Sequence, residues 1–146
     1  MPVTYLGLGS NLGDRQENIK KALTLISERV GEILALSSFY ETEPWGYYSL
    51  KSYINAVVKV ETVLLPEYLL SVIQEIEREL GREKKTSCGE YHDRTIDIDI
   101  LLYDNLKIRT PKLIIPHPLM NKRLFVMQPL MEIAPNDILF QIKTYT

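Results

Sequence analysis

The stretch Arg94-Thr95-Ile96-Asp97-Ile98-Asp99-Ile100-Leu101-Leu102 carries a strong strand pattern. Isoleucine alternates with aspartate in it, which predicts a half-buried β-strand that buries its isoleucines on one face. Asp97 and Asp99 then share the other face, about 7 Å apart along the strand. Two carboxylates at that distance repel each other unless a cation lies between them, and Mg²⁺ readily binds carboxylate oxygens. The pair is a candidate metal site, although an isolated Asp-x-Asp is more often the solvated face of a strand.

The segments before this strand predict alternating strands and helices. A strand over residues 3–8 leads through a glycine-rich turn into a helix over residues 16–30. Strands over residues 33–42 and 53–62 follow. Pro66 then begins a second helix, and Gly81 lies just past its end. Beyond the Asp-x-Asp strand we expect a short strand near residues 106–108 and one or two short helical turns within residues 121–132.

The order strand, helix, strand, strand, helix, strand predicts an α+β fold with a ferredoxin-like split βαβ core. In that core an antiparallel sheet has both helices on one face, and the loops and carboxyl-terminal segment are available to cover the other. We expect one domain over residues 1–146. Because this architecture supports many unrelated activities, it does not by itself indicate a function.

Composition narrows the possible partners. The chain has 146 residues, is 45% hydrophobic and 25% charged, and carries a formal net charge of -2, which argues against broad binding to nucleic acid or to anionic membranes. It shows neither a signal-peptide pattern nor an apolar run long enough to span a membrane, so we expect a cytoplasmic protein. Its single cysteine, Cys88, excludes an internal disulfide. We expect a monomer, with a weak dimer as the alternative.

Several other side chains could line a ligand site beside the acids. Tyr53 and Asn55 share one strand face, and a ring beside an amide suits the edge of a flat heterocycle, although a polar outer face would look the same. Gln74 and Glu77 flank the apolar stripe of the second helix, where solvated residues are also common. Cations that could hold a polyphosphate stand in the irregular segments: Arg82, Lys84, Lys85, Arg94, Lys112, Lys122 and Arg123. Further candidates are His117, fixed between two prolines, and the aromatic residues Trp45, Tyr91 and Phe125.

The glycine pattern near the amino terminus is not a nucleotide fingerprint. Gly7, Gly9 and Gly13 are spaced one residue too widely for a dinucleotide motif, and no phosphate loop of the Gly-x-x-x-x-Gly-Lys-Ser/Thr type occurs. The acids, the cations and the aromatic–amide pocket together favour transfer of a phosphoryl-type group from a nucleoside triphosphate to a small planar acceptor. Two alternatives stay open: a Mg²⁺-dependent phosphohydrolase, and a ferredoxin-like binding module for RNA or a metabolite. The acidic strand argues against the RNA version.

Five ordered stretches resemble the 6-hydroxymethyl-7,8-dihydropterin pyrophosphokinase family of folate biosynthesis. They are Tyr5-Leu6-Gly7-Leu8-Gly9-Ser10-Asn11-Leu12-Gly13, Ser37-Ser38-Phe39-Tyr40-Glu41-Thr42-Glu43-Pro44, Tyr53-Ile54-Asn55-Ala56, Arg94-Thr95-Ile96-Asp97-Ile98-Asp99-Ile100-Leu101, and Pro116-His117-Pro118 with Arg123 and Phe125. The resemblance implies transfer of pyrophosphate from ATP to the hydroxymethyl group of the reduced pterin, with release of AMP. ATP and the pterin would be the partners of the chain.

The resemblance also implies roles for individual residues. Asp97 and Asp99 would hold two Mg²⁺ ions, and Arg82 and Arg94 would grip the phosphates and stabilise the charge of the transition state. The residues implied for the pterin pocket are Thr42, Pro44, Trp45, Tyr53, Asn55, Tyr91 and Phe125, and those implied for ATP are Gln74, Glu77, Lys84, Lys112, His117 and Arg123. Tyr91 stands where many relatives have a tryptophan, in a loop about two residues longer. The loops over residues 43–51 and 82–93 are expected to close over bound substrates.

Overall fold

A computed structural model describes residues 1–42, 52–81, 95–118, 120 and 123–134 of the chain. In these ranges the fold is α+β, with an antiparallel sheet and three helices. The strands are β1 (Val3–Ser10), β2 (Gly31–Leu36), β3 (Tyr40–Thr42), β4 (Tyr53–Thr62), β5 (Asp97–Tyr103), β6 (Ile108–Arg109) and β7 (Ile114–Ile115). The helices are α1 (Arg15–Arg29), α2 (Pro66–Gly81) and α3 (Leu124–Ile133).

The main sheet has the order β2-β4-β1-β5, and every pairing in it is antiparallel. Strand β3 pairs with the same edge of β4 as β2 does, but further along, so β2 and β3 follow each other down one side of β4. Strands β6 and β7 form a separate antiparallel pair. The order leaves β1 in the centre, with β4 on one side and β5 on the other.

One face of the sheet packs against α1 and α2. The isoleucines of the opening motif, Ile96, Ile98 and Ile100, are buried here with Ile19 and Ile26 of α1 and with Leu69, Ile73 and Ile76 of α2. The period of the helix stripes and the alternation in the strands meet at this core, as the sequence predicts. Burial of these aliphatic side chains supplies the main stabilisation, at about 1.5 to 3 kcal/mol for each fully buried side chain.

Helix α3 covers part of the opposite face. Its Val126 and Leu130 pack against Tyr5, Val57 and Leu102. The sequence predicts only one or two short turns in this region, and that prediction is wrong because α3 is a continuous helix of 10 residues with Pro129 inside it. Packing of its apolar side chains on the sheet outweighs the low helix propensity of proline.

Two predicted strands differ from the structure. The predicted strand over residues 33–42 is interrupted between β2 and β3, where the Ser37 hydroxyl accepts a hydrogen bond of 2.9 Å from the Val57 backbone N–H. The Val57 N–H thus donates to a side-chain oxygen and not to a backbone carbonyl of the neighbouring strand, and the strand is interrupted here. The short strand expected near residues 106–108 lies at Ile108–Arg109 and pairs with β7, which the sequence did not predict.

Strand β5 changes phase at its far end. Its register with β1 shifts between Tyr5 and Leu6, where Leu6 pairs with Ile100 but Tyr5 pairs with Leu102. Such a shift inserts one extra residue into β5, here Leu101. As a result Leu101 and Leu102 both pack on the α3 side, and Tyr103 returns to the α1 and α2 side. Among the described residues, no helix is long and apolar enough to cross a membrane.

Candidate active site

The predicted acids lie on the sheet face that carries α3, beyond the end that α3 covers. Asp97 pairs with Gly9 and Asp99 pairs with Gly7 across the β5–β1 ladder, so all four residues share this face. Both aspartates are partly exposed, while Ile98 between them is buried in the core. The prediction that the two acids share a face opposite the isoleucines is confirmed. The glycines opposite them carry no side chain; Asn55 and Tyr53 lie against Gly9, and Leu101 lies near Gly7.

Gly7 and Gly9 form a surface that we call the glycine floor. Asn55 lies on the opposite side of this floor from the two aspartates. It pairs with Gly9 across the β4–β1 ladder, so Gly9 stands between Asn55 and Asp97. Adjacent strands are about 4.8 Å apart, which puts the Cα atoms of Asn55 and Asp97 about 10 Å apart across the sheet. A planar substrate beside Asn55 and a phosphate chain beside Asp97 would therefore meet over Gly9.

The side chain of Asn55 is held in a fixed orientation. Its Nδ2 donates a hydrogen bond of 2.7 Å to Thr42 Oγ1, and Thr42 pairs with Tyr53 in the β3–β4 ladder. The bond uses one amide hydrogen, and an amide has a second hydrogen and a carbonyl oxygen, which suit the donor and acceptor edge of a heterocycle. The structure therefore brings together Thr42, Tyr53 and Asn55, three of the residues predicted for the pterin pocket.

Gly9 is a site residue that the sequence analysis placed only in a turn. A Cβ atom built at Gly9 would lie 3.0 Å from Asn55 Oδ1 and 3.3 Å from Tyr53 Cδ2. A Cβ at Gly7 would meet nothing closer than the Leu101 methyl groups, at 3.5 Å. The glycine at position 9 thus lets the amide and the ring lie against the backbone of β1. Two glycines at alternate positions of a central strand are the signal that could have identified this floor.

His117 and Arg123 reach the acids from the segment that precedes α3. His117 is fixed by its backbone N–H, which donates to Leu101 O at 3.1 Å, and the preceding Ile115–Pro116 peptide bond is cis. Its Nε2 lies 4.0 Å from Asp99 Oδ1. The Arg123 guanidinium lies over the Phe125 ring, 5.7 Å from the ring centroid. His117 thus lies beside the predicted residues Asp99, Asp97 and Arg123, and Arg123 in turn contacts Phe125.

The charges around His117 decide its protonation. Burial lowers the pKa of its imidazole below the usual 6.5, the nearby Arg123 cation lowers it further, and the Asp97 carboxylate partly opposes this. The imidazole is therefore neutral at pH 7, and its Nε2 can donate or accept a single hydrogen bond according to its tautomer. A neutral ring adds no charge, so among the described residues the cation beside His117 is Arg123.

Of the predicted residues on α2, Glu77 contacts β5 directly. The Glu77 carboxylate accepts a hydrogen bond of 2.7 Å from the backbone N–H of Ile98, the residue between the two acids. Gln74 is exposed one turn earlier on the same helix. Lys112 is exposed between β6 and β7. The predicted residues Pro44, Trp45, Arg82, Lys84, Tyr91 and Arg94, with Lys85, Cys88 and Lys122, lie outside the described residues.

The described ends of two loops lie beside the site. Thr42 and Tyr53, which flank residues 43–51 and Ser52, are paired neighbours in the sheet. Gly81 and Thr95 flank residues 82–94, and a Cβ built at Gly81 would lie 3.4 Å from the Thr95 side chain. The segments that contain the undescribed candidate residues are therefore attached beside Asn55 and beside Asp97.

Comparison with known proteins identifies the family of the chain. A family model described as 7,8-dihydro-6-hydroxymethylpterin-pyrophosphokinase (HPPK) matches residues 5–135. The chain belongs to this family. It is 52% identical over 136 residues to the 2-amino-4-hydroxy-6-hydroxymethyldihydropteridine pyrophosphokinase of Porphyromonas gingivalis, with 92% of each chain covered. It is 46% identical over 138 residues to the Aquifex aeolicus protein of the same name, with 94% of this chain and 84% of the relative covered.

Solved structures extend the comparison to the fold of HPPK domains. A Plasmodium falciparum HPPK-DHPS triple mutant matches with a TM-score of 0.73 at 17% sequence identity, over 92% of this chain and 40% of the longer protein. At that identity the likeness shows the fold alone. The described sheet and helices are thus those of an HPPK domain, and the predicted family is confirmed.

Proposed function

We propose that this chain transfers pyrophosphate from ATP to 6-hydroxymethyl-7,8-dihydropterin and releases AMP, a step of folate biosynthesis. Membership of the HPPK family and the names of its relatives support the reaction. The structural observation that carries the proposal is the position of Gly9 between Asn55 and Asp97. This neighbourhood supports the proposal that a flat heterocycle binds at Asn55 and a metal-bound phosphate chain at Asp97, side by side.

The acids fit a metal that arrives with the nucleotide. Within the described residues no cluster of three or more His, Cys, Asp or Glu could hold a metal ion alone. Asp97 and Asp99 supply only part of a coordination sphere, and Mg²⁺ commonly completes its own with substrate phosphates and water. We propose that these two aspartates hold two Mg²⁺ ions with ATP. Mg²⁺ bound there would neutralise phosphate charge and favour attack at phosphorus.

The chain's own side chains would orient the two substrates. Asn55, fixed by Thr42, would bind the edge of the pterin, and the rings of Tyr53 and Phe125 would pack against its faces. Arg123 would contact the phosphates, and the neutral His117 would donate or accept one hydrogen bond there. Glu77 would hold β5 in place through Ile98 and contact ATP together with Gln74.

The reaction balances without a covalent enzyme intermediate. The hydroxymethyl oxygen of the pterin releases its proton to water and bonds to the β-phosphorus of ATP. The bond from that phosphorus to the oxygen bridging to the α-phosphate breaks, and AMP leaves with this oxygen. Positioning and charge stabilisation then supply most of the rate enhancement.

The remaining roles are proposed from the family resemblance. Arg82 and Arg94 would stabilise the transferred group, Lys84 and Lys112 would contact ATP, and Pro44, Trp45 and Tyr91 would complete the pterin pocket. The strand order is the one that a ferredoxin-like core requires, which supports that assignment. A single domain over residues 1–146, a monomeric state and a cytoplasmic location belong to the same proposal.

One assay tests the reaction. The protein is incubated with Mg²⁺, ATP and 6-hydroxymethyl-7,8-dihydropterin, and the nucleotide products are separated by chromatography. We expect AMP to form in equal amount to the pyrophosphorylated pterin. Formation of ADP would contradict pyrophosphate transfer, ATP loss without pterin would indicate a phosphohydrolase, and absence of turnover would leave only a binding module.

A further inference from the structure

Three side chains from three elements meet beside the proposed pterin pocket without belonging to it. They are Arg15, the first residue of α1, Glu41 in β3, and Ser52 immediately before β4. Arg15 Nη1 lies 3.0 Å from Glu41 Oε2, 2.9 Å from Ser52 Oγ and 3.0 Å from Ser52 O. Ser52 Oγ in turn donates a hydrogen bond of 2.6 Å to Glu41 Oε2. We call these three residues the Arg15 clamp.

The clamp is adjacent in sequence to the residues that orient Asn55. Glu41 precedes Thr42, Ser52 precedes Tyr53, and Thr42 and Tyr53 are direct partners in the β3–β4 ladder. Within the described residues this ladder consists of the pairs Tyr40–Asn55, Glu41–Ile54 and Thr42–Tyr53. Because three pairs make few backbone hydrogen bonds, a side-chain tie beside the last described pair affects where Thr42 and Tyr53 lie.

The clamp also connects this end of the sheet to the glycine floor. Arg15 follows the turn that leaves β1 after Gly9, and the turn is braced by Asn18, whose Nδ2 donates to Ser10 Oγ at 3.2 Å and to Leu12 O at 2.7 Å. Asp14 caps α1 through the backbone N–H of Glu17. The guanidinium of Arg15 therefore extends from the capped start of α1 to the end of β3 and the start of β4.

We propose that Arg15 is a positioning residue for the pterin subsite: it fixes the end of the β3–β4 ladder, and through it Thr42 and Tyr53, relative to Gly9. This inference rests on the proposed function. The Ser52 hydroxyl and the Arg15 cation lower the pKa of the Glu41 carboxyl, so the carboxylate is charged at neutral pH. Without Arg15 the Glu41–Ser52 hydrogen bond can persist, but the tie to α1 is lost.

An ion pair elsewhere on α1 provides the matched control. Arg29, the last residue of α1, pairs with Glu79 of α2, and the side chains in that pair are 34% and 38% exposed. The Arg15 and Glu41 side chains are 30% and 60% exposed. Exposed pairs of this kind contribute little to stability. A difference between the two arginine variants therefore reports on their position and not on the loss of an ion pair.

The experiment compares Arg15→Met, Arg29→Met and the conservative Arg15→Lys by steady-state kinetics of AMP formation. We expect Arg15→Met to raise KM for the pterin about tenfold and to leave KM for ATP nearly unchanged, because small displacements of positioning groups are costly. Arg29→Met should change neither constant, and Arg15→Lys should recover part of the loss. Equal changes in both KM values, or identical behaviour of the two methionine variants, would overturn the proposal.

Hydrogen exchange of the substrate-free protein separates this inference from the proposed function. We expect Arg15→Met, but not Arg29→Met, to accelerate amide exchange in the β3–β4 ladder, as measured by NMR. Unchanged exchange there would overturn the clamp even if the wild type forms AMP. If exchange accelerates but the wild type forms no AMP, the proposed function fails, and with it the assignment of the clamp to a pterin subsite.

Discussion

The sheet face that carries α3 is apolar at one end and polar at the other, although the same three strands form both ends. At the covered end Tyr5, Val57 and Leu102 pack beneath α3. At the open end the same strands present Gly9, Asn55 and Asp97. The covered end stabilises the fold, and the open end leaves space and polar groups for substrates. The comparison shows that a few residues per strand are enough to turn a core into a site.

The largest expected effect comes from removing a carboxylate at the open end of the sheet face. Asp97→Asn or Asp99→Asn removes a carboxylate without changing the size of the side chain. Because each should bind Mg²⁺ with the triphosphate, we expect kcat/KM to fall by about a thousandfold, the upper range for loss of one charge-stabilising group. Steady-state AMP formation measures the loss, and far-ultraviolet circular dichroism checks that the fold persists.

Asp104→Asn is the matched control for these variants. Asp104 follows β5 at its far end, where its Oδ1 accepts a hydrogen bond of 2.7 Å from the Val3 backbone N–H. Its φ of 50° is a backbone conformation that asparagine also adopts readily. AMP formation by this variant should match the wild type. Retention of activity in the Asp97 and Asp99 variants would remove the metal role from the open end.

The covered end should respond in the opposite way. Leu102 lies on the same strand as Asp99 but is buried under α3. Leu102→Ala should lower the free energy of unfolding by about 2 to 5 kcal/mol through lost burial and a cavity, and kcat/KM of the remaining folded protein should not change. Urea denaturation and kinetics measure the two quantities separately. If Leu102→Ala lost much of its kcat/KM with unchanged stability, the covered end would contribute to activity and not mainly to stability.

Alanine substitution should impair pterin binding at Gly9 and should be tolerated at Gly7. Gly9→Ala introduces a methyl group 3.0 Å from Asn55 Oδ1, which must then move. We expect KM for the pterin to rise about tenfold, in line with the cost of forcing one extra methyl group into a packed site. Gly7→Ala, whose methyl group meets only ordinary contacts, should have a much smaller effect. Equal pterin KM values for the Gly9 and Gly7 variants would contradict the proposal that the close contact of Asn55 with Gly9 matters for pterin binding.

The smallest expected effect concerns the tie between α3 and the sheet. The Glu132 carboxylate accepts hydrogen bonds from the Ser38 backbone N–H at 3.0 Å, from the Ser38 hydroxyl at 2.9 Å and from the Tyr40 hydroxyl at 2.8 Å. These bonds, the one from the Ser38 backbone first, lower the pKa of Glu132 below its ordinary 4.5. A lowered pKa stabilises the folded protein above the ordinary value, and this stabilisation is lost as pH falls through the lowered one.

Glu132→Gln removes that acid-dependent contribution. We expect the variant to be slightly less stable than the wild type at pH 7, and the difference to shrink as the pH falls below 4.5, the ordinary value. Urea midpoints across that range measure the difference. A difference that stays constant or grows as the pH falls would contradict the assigned hydrogen bonds.

The sequence predicts the helix-covered core well, because period and chemistry agree there. The residues 53–62 predicted as a strand coincide with β4, and Asp97 and Asp99 lie on the predicted face. The change of phase at Leu101 could not be predicted, because Leu101, Leu102 and Tyr103 form an apolar run without alternation. The length of α3 depends on packing against the sheet, which is a tertiary effect.

The site was predictable from its chemistry but not from its geometry. The family motifs identify Asn55, Asp97 and His117, and the structure brings them to one face. The floor at Gly9 and the Arg15 clamp depend on which strands pair and in which register. Those contacts join residues that are far apart in sequence. Alternate glycines in β1 can indicate the floor, but no local pattern identifies the residues that contact it or those of the clamp.

A structure of the ternary complex tests the central claim most directly. The protein would be crystallised with Mg²⁺, 6-hydroxymethyl-7,8-dihydropterin and α,β-methylene-ATP. In this analogue a methylene group replaces the oxygen between the α- and β-phosphorus atoms, so the bond that breaks during pyrophosphate transfer is absent. The account predicts the pterin edge on Asn55, metal ions on Asp97 and Asp99, and the hydroxymethyl oxygen facing the β-phosphorus above Gly9. A pterin bound elsewhere, or a nucleotide whose γ-phosphorus faces that oxygen, would contradict it.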